Sequence, residues 1–345
     1  MRTAIVCSIA ALGLLACASE ETPTDPSIAA KPQENLAAGY TLTDLGTLGG
    51  TYALATRINI QGDIVGMSTI AGNGATHAFL RKNGTMTDLG TLGGERSEAW
   101  DINAVGQVAG FSTLAGNEDF PHAFLWSNGV MTDLGTLGGA YSLAYGINNA
   151  GDVVGYSETA AGGQHAFLWS HGTMTDLGTL NEGGFSVARA ISSSGRVVGM
   201  SDGQAAVWDH GAITAIGTLG GSFSEAHDIN PSGQIVGSSS IAGNEDTRHG
   251  FVWDKGVMTD IGTLGGDYSE AFGNNIGGQV VGPSRTADNR VLPYVWQDGA
   301  TLALPTLSGD PGSVSEARGI NATGLIVGNS QTPDGHAHAT LWTPQ

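Results

Sequence analysis

From residue 39 to residue 342 the chain alternates short apolar segments with short polar turns. Residues 97–135 show the pattern, because SEAWDIN, QVAGFS, HAFLW and VMTDLG follow one another with turn sequences between them. Each segment has five to seven residues, is rich in β-branched or apolar residues and is bounded by Gly, Asn, Ser or Asp. Such segments predict strands joined by tight turns. Four consecutive strands, named a, b, c and d here, therefore predict one antiparallel sheet.

This four-strand unit recurs along the chain. Exact or altered copies of the segment DLGTLGG mark the end of strand d and start at Asp44, Asp88, Asp133, Asp176, Ala215, Asp260 and Ala303. Successive copies are 39 to 45 residues apart. A fixed period in this range predicts a propeller or a solenoid.

The two ends of the repeat region complement each other. The region begins with YTLTDLG at residues 40–46, a strand d without a preceding a, b or c. It ends with ARGIN, LIVGNS and HATLW at residues 317–342, an a–b–c set without a following d. Closing a ring in this way would remove exposed sheet edges, and the terminal caps that a solenoid needs are not recognisable. We therefore expect an all-β, seven-bladed β-propeller of four-stranded antiparallel blades, with the N-terminal strand completing the last blade.

The motifs INxxGxVVGxS and HAFLWxxGxMTDLGTLGG resemble the HAF-type extracellular repeat family over residues 40–342. His-Ala-Phe is intact at residues 77, 122 and 165 and departs from the pattern as His249-Gly250-Phe251 and His338-Ala339-Thr340. Two repeats lack the His, where Gln204-Ala205-Ala206 and Leu292-Pro293-Tyr294 stand instead. The resemblance implies an extracellular repeat protein and supplies no reaction.

The first 38 residues differ from the rest and divide the chain into three segments. Arg2 followed by the apolar run 4–15 predicts a signal peptide over residues 1–16. Leu14-Leu15-Ala16-Cys17 resembles the lipobox of bacterial lipoproteins, which implies acylation of Cys17, and residues 17–38 predict a flexible tether. By the sorting pattern of diderm lipoproteins, Ala18 and Ser19 imply the outer membrane or cell surface. The propeller is then expected over residues 39–345.

Composition limits the partners. With 40 % hydrophobic and 13 % charged residues, the chain as a whole is not expected to be disordered. Cys7 and Cys17 are the only cysteines, so no disulfide is expected within the repeats. A net charge of −19 disfavours nucleic acid. Apart from a membrane bound through the lipid anchor, we expect a polysaccharide or protein partner and a monomeric chain.

Most of the recurring residues have structural explanations. A tryptophan ends strand c in six repeats, where it predicts packing between neighbouring blades: Trp126, Trp169, Trp208, Trp253, Trp296 and Trp342. The recurring histidines would lie too far apart in successive blades to share one zinc ion, so we predict no metal site from His77, His122, His165, His249 and His338. The asparagines after strand a are typical of turns.

One face of the predicted propeller carries the candidate binding residues, because its b–c loops differ between repeats while the turns of the opposite face barely change. An aromatic residue follows the d–a crossing in five repeats, and could bind a ligand or pack between blades: Tyr52, Tyr141, Phe185, Phe223 and Tyr268. A glutamate begins strand a in four repeats, and could bind a ligand or form a solvated acidic rim: Glu98, Glu225, Glu270 and Glu316. No cofactor is predicted; acidic loops could hold calcium, but no DxDxDG spacing supports it.

Three functions remain open. The first is a non-catalytic binding module whose loop face binds a polysaccharide or a protein. The second is a glycan hydrolase or lyase that uses paired carboxylates such as Glu225 and Glu270. No HExxH or Walker-type segment is present, so no catalytic residue is assigned and we favour a protein that is not an enzyme. The third is a purely structural surface component.

Overall fold

A computed structural model describes residues 39–309 and 314–345. The predicted signal peptide, the lipidation site Cys17 and the tether lie outside the described residues. Every regular element within the described part is a strand, which confirms the all-β prediction. No helix that is long and apolar enough to cross a membrane occurs among those residues.

The 29 strands of the described residues follow the predicted repeat. The first strand of the described residues is β1 (Tyr40–Gly46). Repeat one contains β2 (Gly49–Ile58), β3 (Ile64–Ile70), β4 (Thr76–Lys82) and β5 (Thr85–Asp88). Repeat two contains β6 (Gly93–Ile102), β7 (Val108–Leu114), β8 (Asn117–Ser127) and β9 (Val130–Asp133). Repeat three contains β10 (Gly138–Ile147), β11 (Val153–Thr159), β12 (Gln164–Ser170) and β13 (Thr173–Asp176).

Repeats four to seven continue the same order. Repeat four contains β14 (Ser186–Ile191), β15 (Val197–Ser201), β16 (Gln204–Asp209) and β17 (Ala212–Ala215). Repeat five contains β18 (Gly220–Ile229), β19 (Ile235–Ile241), β20 (Asn244–Asp254) and β21 (Val257–Asp260). Repeat six contains β22 (Gly265–Ser269), β23 (Gly273–Asn274), β24 (Val280–Thr286), β25 (Val291–Gln297) and β26 (Ala300–Ala303). Repeat seven contains β27 (Ser315–Ile320), β28 (Ile326–Gln331) and β29 (Ala337–Pro344).

Each repeat is an antiparallel sheet in the order a–b–c–d, and the missing strand d of repeat seven is β1. β1 pairs antiparallel with β29 from Tyr40↔Pro344 to Gly46↔Ala339. Strand a of each repeat contacts strand a of the next repeat, and β27 of repeat seven contacts β2 of repeat one. The first and last segments of the described chain are therefore joined by backbone hydrogen bonds.

Buried serines of strand b hold the crossing from one repeat to the next. In every repeat the Ser of the VVGxS segment accepts a hydrogen bond of 2.8–2.9 Å from the backbone N–H of the crossing leucine. These serines are Ser68, Ser112, Ser157, Ser201, Ser239, Ser284 and Ser330. Because buried backbone donors must be satisfied, one small hydroxyl at this position fixes the crossing in all seven copies.

The asparagines of the a–b turns join neighbouring repeats as well as shaping the turn. The side-chain amide of Asn59 donates to the carbonyl of Asn103 at 3.2 Å, and Asn103 donates to the carbonyl of Asn148 at 3.0 Å. Asn321 of repeat seven donates to the carbonyl of Asn59 of repeat one at 3.0 Å. The sequence predicted only the turn role of these residues.

The hydrophobic cores lie between repeats. Val65 and Ala78 of repeat one pack in one cluster with Ala99, Val108 and Phe124 of repeat two, and Trp126 packs against that cluster. Trp169, Trp208, Trp253, Trp296 and Trp342 likewise belong to or contact clusters that span two repeats. The prediction that these tryptophans pack between neighbouring repeats is confirmed.

Two segments differ from the sequence expectation. In repeats two and five the acidic b–c segment is a tight hairpin rather than a loop, because only residues 115–116 separate β7 from β8 and only residues 242–243 separate β19 from β20. In repeat six, strand a is interrupted between Ser269 and Gly273. This interruption lies beside the cavity described next.

Candidate functional site

Strands a of all seven repeats line one cavity of about 640 Å³. Within the segment SEAWDIN and its equivalents, the residue at the Trp position contributes to the lining in every repeat. We call this the variable position; its residues are Thr56, Trp100, Tyr145, Arg189, His227, Phe272 and Arg318. The preceding residue of strand a is a buried alanine in each repeat, namely Ala55, Ala99, Ala144, Ala188, Ala226, Ala271 and Ala317.

Glutamates and arginines form ion pairs around this cavity. Arg189 Nε lies 2.6 Å from Glu225 Oε1, and Arg318 Nη2 lies 2.6 Å from Glu316 Oε2. Glu98 accepts a hydrogen bond from Arg96 Nε at 3.0 Å. Three of the four predicted glutamates are therefore neutralised by arginines, which the sequence interpretation of an acidic rim did not anticipate.

Arg57 joins strands a from three repeats. Its guanidinium lies 3.1 Å from Asp228 of repeat five and 3.7 Å from Asp101 of repeat two. Burial raises the pKa of Asp101 to about 6, although Arg57 and the backbone N–H of Ile147 act in the opposite direction. Two buried carboxylates thus share one guanidinium where repeats one, two and five meet.

Glu225 is held in its charged form. Burial alone would raise its pKa, but the hydrogen bond with His227 and the charge of Arg189 outweigh burial and lower the pKa to about 2. The guanidinium of Arg189 also lies over the ring of Tyr145, 4.5 Å from its centroid. Glu225 is therefore a permanent anion that fixes its neighbours.

Aromatic side chains supply the apolar part of the lining. The ring centroids of Trp100 and Tyr145 are 5.3 Å apart in an edge-to-face arrangement. Arg318 lies over the ring of Phe272, 4.1 Å from its centroid. Aromatic faces beside fixed polar groups are typical of small-molecule and glycan sites.

The five predicted aromatic residues do not converge on one site. Only Tyr268 lines the cavity. Tyr52 and Phe185 are exposed, at 36 % and 43 %. Tyr141 packs edge-to-face against Tyr156 of its own repeat, and Phe223 lies under Arg248 at 4.1 Å.

The four predicted glutamates are placed differently from one another. Glu270 and Glu316 line the cavity and are partly buried. Glu225 also lines it but is only 9 % exposed, and Glu98 is 4 % exposed and accepts from the indole N–H of Trp100 at 3.2 Å. The structure therefore brings three of the four glutamates to one cavity.

Acidic residues of the b–c segments hold backbone groups. Glu118 accepts from the N–H of Glu95 at 3.0 Å, and Glu245 accepts from the N–H of Ser222 at 2.8 Å. In repeats one, three and four the same contact is made by Asn73, Glu158 and Asp202. These side chains fix the start of strand a, a role that the sequence interpretation missed.

The recurring histidines pair with the aspartate of DLGTLGG. His77, His122, His165 and His249 each place Nδ1 2.7–2.9 Å from the aspartate at the end of strand d in their own repeat. His338 of repeat seven makes the same contact with Asp44 of β1, at 2.8 Å. No group of three or more His, Cys, Asp or Glu side chains suited to a metal ion occurs within residues 39–309 and 314–345.

Comparison of the sequence with known protein families and with curated proteins finds no match. The fold is similar to a Mycobacterium tuberculosis puromycin-hydrolyzing peptidase, with 13 % identity, 88 % of this chain and 50 % of that chain covered, and a TM-score of 0.53. It is also similar to a prolyl endopeptidase, with 12 % identity, coverage of 87 % and 51 %, and a TM-score of 0.51. TolB from Acinetobacter baumannii matches with 14 % identity, coverage of 74 % and 68 %, and a TM-score of 0.46.

The similarities to the two peptidases define the class of fold. The chain spans about half the length of the two peptidases. At these identities the likeness shows the fold alone, which is all-β and β-propeller-like.

Proposed function

We propose that this protein is a closed, seven-bladed β-propeller that acts as a non-catalytic binding module, with its ligand site in the cavity lined by strands a. Ring closure is supported by three contacts between repeats seven and one or the N-terminal strand. These are the pairing of β1 with β29, the His338–Asp44 pair and the hydrogen bond from Asn321 to Asn59. The HAF-type assignment remains part of the same proposal.

The observation that carries the binding role is the variable position. The alanine before this position is the same in all seven repeats, whereas the variable position carries Thr, Trp, Tyr, Arg, His, Phe and Arg in turn. A packing role common to all repeats would favour one residue type, as the alanines beside it show. Six different residue types at one position of a repeated scaffold fit an asymmetric ligand better.

A thermal-shift screen of saccharides, peptides and metabolites tests this site. A ligand that binds only the folded state raises the melting temperature in proportion to its saturation. We expect the shift to disappear in Trp100→Ala and to persist in Tyr52→Ala, whose aromatic ring lies outside the cavity lining. Loss of the shift in Tyr52→Ala with retention in Trp100→Ala would contradict the proposed site.

The alternative of a glycan hydrolase would draw on Glu225 and Glu270, which both line the cavity. A general acid needs a pKa near the working pH. The low pKa of Glu225 and its contacts with Arg189 and His227 fit a structural anion better. We therefore favour binding without catalysis.

We further propose that Cys17 carries a lipid that holds the propeller outside the cytoplasm, at the outer membrane or cell surface. The lipobox-like sequence and the tether after it support this proposal. Labelling with radioactive palmitate should mark the wild-type protein and Cys7→Ser, and fail to mark Cys17→Ser. Equal labelling of both cysteine variants would contradict it.

A further inference from the structure

The cavity is asymmetric, because repeat six supplies more of its lining than any other repeat. Of the 16 described lining residues, six belong to repeat six: Tyr268, Glu270, Phe272, Pro283, Arg285 and Val291. In the other repeats the contribution comes mainly from the variable position and its neighbours on strand a. A site specialised for one ligand is therefore expected at repeat six.

Repeat six also differs from the others in its backbone. Glu270 N–H donates to the carbonyl of Pro283 at 3.0 Å, so these two residues form a pair that would normally exchange two hydrogen bonds. Pro283 has no N–H and cannot return the bond. The hydroxyl of Tyr294 donates to the Glu270 carbonyl at 2.8 Å instead.

The residue that supplies this hydroxyl, Tyr294, differs in type from its equivalents in the other repeats. The position of Tyr294 is occupied by phenylalanine in four repeats, namely by Phe79, Phe124, Phe167 and Phe251. Proline in strand b and tyrosine in strand c thus occur together in repeat six, beside the interruption of its strand a. The pair holds the backbone of Glu270 at the cavity wall without a regular strand.

Glu270 differs from the other cavity glutamates in its charge partners. Glu225 and Glu316 form ion pairs with arginines, whereas Glu270 forms none with the residues that the structure describes. Burial of the Tyr268 hydroxyl and the negative charge of the Glu270 carboxylate together raise the pKa of Tyr268. An acceptor group therefore remains available in a cavity whose arginines are paired.

A donor lies on the neighbouring repeat. Arg318 lines the cavity with its side chain 24 % exposed, and its Nη2 is paired with Glu316. The carboxylate of Glu270, which forms no ion pair with the described residues, would repel an anionic ligand, and the guanidinium of Arg318 would repel a cationic one. A neutral ligand with many hydroxyl groups can satisfy both, and its C–H faces can pack on Trp100 and Tyr268.

We infer that repeat six forms the recognition site for a neutral saccharide, in which the Glu270 carboxylate accepts from sugar hydroxyls and Tyr294 acts as a positioning residue. This inference rests on the proposed function, because it names the ligand class of the same cavity. Arg318 donates to the ligand from repeat seven.

The first experiment is calorimetric titration of the purified protein with neutral tetrasaccharides, such as cellotetraose and chitotetraose. Tetragalacturonate and a chitosan tetramer serve as anionic and cationic comparators. Glu270→Gln should weaken the binding of the neutral ligand about tenfold, because a charged acceptor is replaced by a neutral one. Glu182→Gln, on an exposed segment away from the cavity lining, should leave it unchanged. Equal affinity in wild type and Glu270→Gln would overturn the assignment of Glu270.

The second experiment separates positioning from folding. Tyr294→Phe should weaken binding about tenfold while the protein remains folded, since phenylalanine occupies this position in other repeats. Combining it with Pro283→Ser recreates the Ser238 and Phe251 pair of repeat five and restores a backbone N–H. The double variant should regain affinity to within about threefold of wild type. Wild-type affinity in Tyr294→Phe, or no recovery in the double variant, would overturn the positioning role.

The ligand class can fail separately from the proposed function. Binding of only the charged tetramers, or of a peptide, with loss in Trp100→Ala would overturn the neutral-saccharide class and leave the cavity as the ligand site. Binding of neutral saccharides that survives Trp100→Ala would overturn the site itself.

Discussion

The hydrogen bond from Asn321 to Asn59 gives the sharpest test of ring closure, because it joins repeat seven to repeat one. The amide Nδ2 of Asn321 donates to the buried carbonyl of Asn59 at 3.0 Å, while its Oδ1 accepts from the backbone N–H groups of Thr323 and Leu325. The equivalent position of repeat four shows which residue can replace Asn321. Ser192 occupies this position in repeat four, where its hydroxyl accepts from the N–H of Arg196 at 3.1 Å.

Asn321→Ser should therefore keep part of the turn and lose the bond between repeats. The carbonyl of Asn59 keeps its hydrogen bond from the N–H of Gly62, so losing the bond from Asn321 should cost roughly 0.5–1.5 kcal/mol of unfolding free energy. Asn103→Ser removes the equivalent bond to Asn148 inside the ring and should cost the same. The reverse change, Ser192→Asn, adds an amide that can reach the carbonyl of Asn230 and should stabilise by about 1 kcal/mol.

Urea unfolding followed by tryptophan fluorescence measures all three variants. A closed ring predicts equal losses for Asn321→Ser and Asn103→Ser. If the loss in Asn103→Ser is about 1 kcal/mol while Asn321→Ser unfolds like wild type, repeats seven and one are not joined. A loss of stability in Ser192→Asn would refute the reasoning about the bond itself.

Three further outcomes are expected. The carboxyl carbon of Asp101 should titrate with a midpoint near pH 6 in NMR spectra, and Arg57→Gln should move that midpoint upwards. Because the pKa of Asp101 in the folded protein lies above its ordinary value of 3.8, the folded state becomes less stable as the pH rises from about 4 to about 6. The hydrogen bond with Asp133 raises the pKa of His122, so the pair stabilises the folded state at acidic pH, and this stabilisation is lost as the pH rises through the raised pKa. His122→Asn should therefore lower the melting temperature more at pH 5 than at pH 8. Gly110→Ala should lower the unfolding free energy measured in urea by about 3 kcal/mol or more, because the added Cβ would lie 1.9 Å from the carbonyl oxygen of Glu98. In the control variant Gly74→Ala the added Cβ meets no atom within 4 Å, and the loss should stay below about 0.5 kcal/mol. Equal losses in the two variants would contradict this packing.

The strands and their grouping could be predicted because they depend on local pattern. Alternation of apolar segments with Gly and Asn turns recurs with one period, and the split repeat at the two ends indicates how β1 finds its partner. The packing role of the recurring tryptophans followed from the same regularity.

The ion pair between Arg57 and Asp228 could not be predicted, because it joins repeats that are distant in sequence. Arg57 contacts Asp228 across 171 positions of chain, and no periodic signal relates the two residues. The glutamates were interpreted as an acidic rim, although Arg96 and Arg318 stand two residues from Glu98 and Glu316 in the sequence. Their arginine partners could have been noticed only as departures from the consensus of strand a.

The differences between residue types at the variable position are visible in the sequence, but they were not used to predict the site. Loops were compared between repeats, whereas strand a was treated as constant scaffold. Comparing each position separately would have shown that the residue after the recurring alanine differs between successive repeats. The proline–tyrosine exchange of repeat six needed the strand register, which places Pro283 opposite Glu270.

The most direct test of the account is the indole N–H spectrum of the protein during titration with a bound saccharide. The chain has seven tryptophans, and Trp100 is the one among the described lining residues of the cavity. Trp100→Phe assigns its resonance. The account predicts that the Trp100 indole signal shifts with saturation while the six signals of strand c stay in place. Shifts confined to those six, with Trp100 unchanged at saturation, would contradict a ligand site in the cavity.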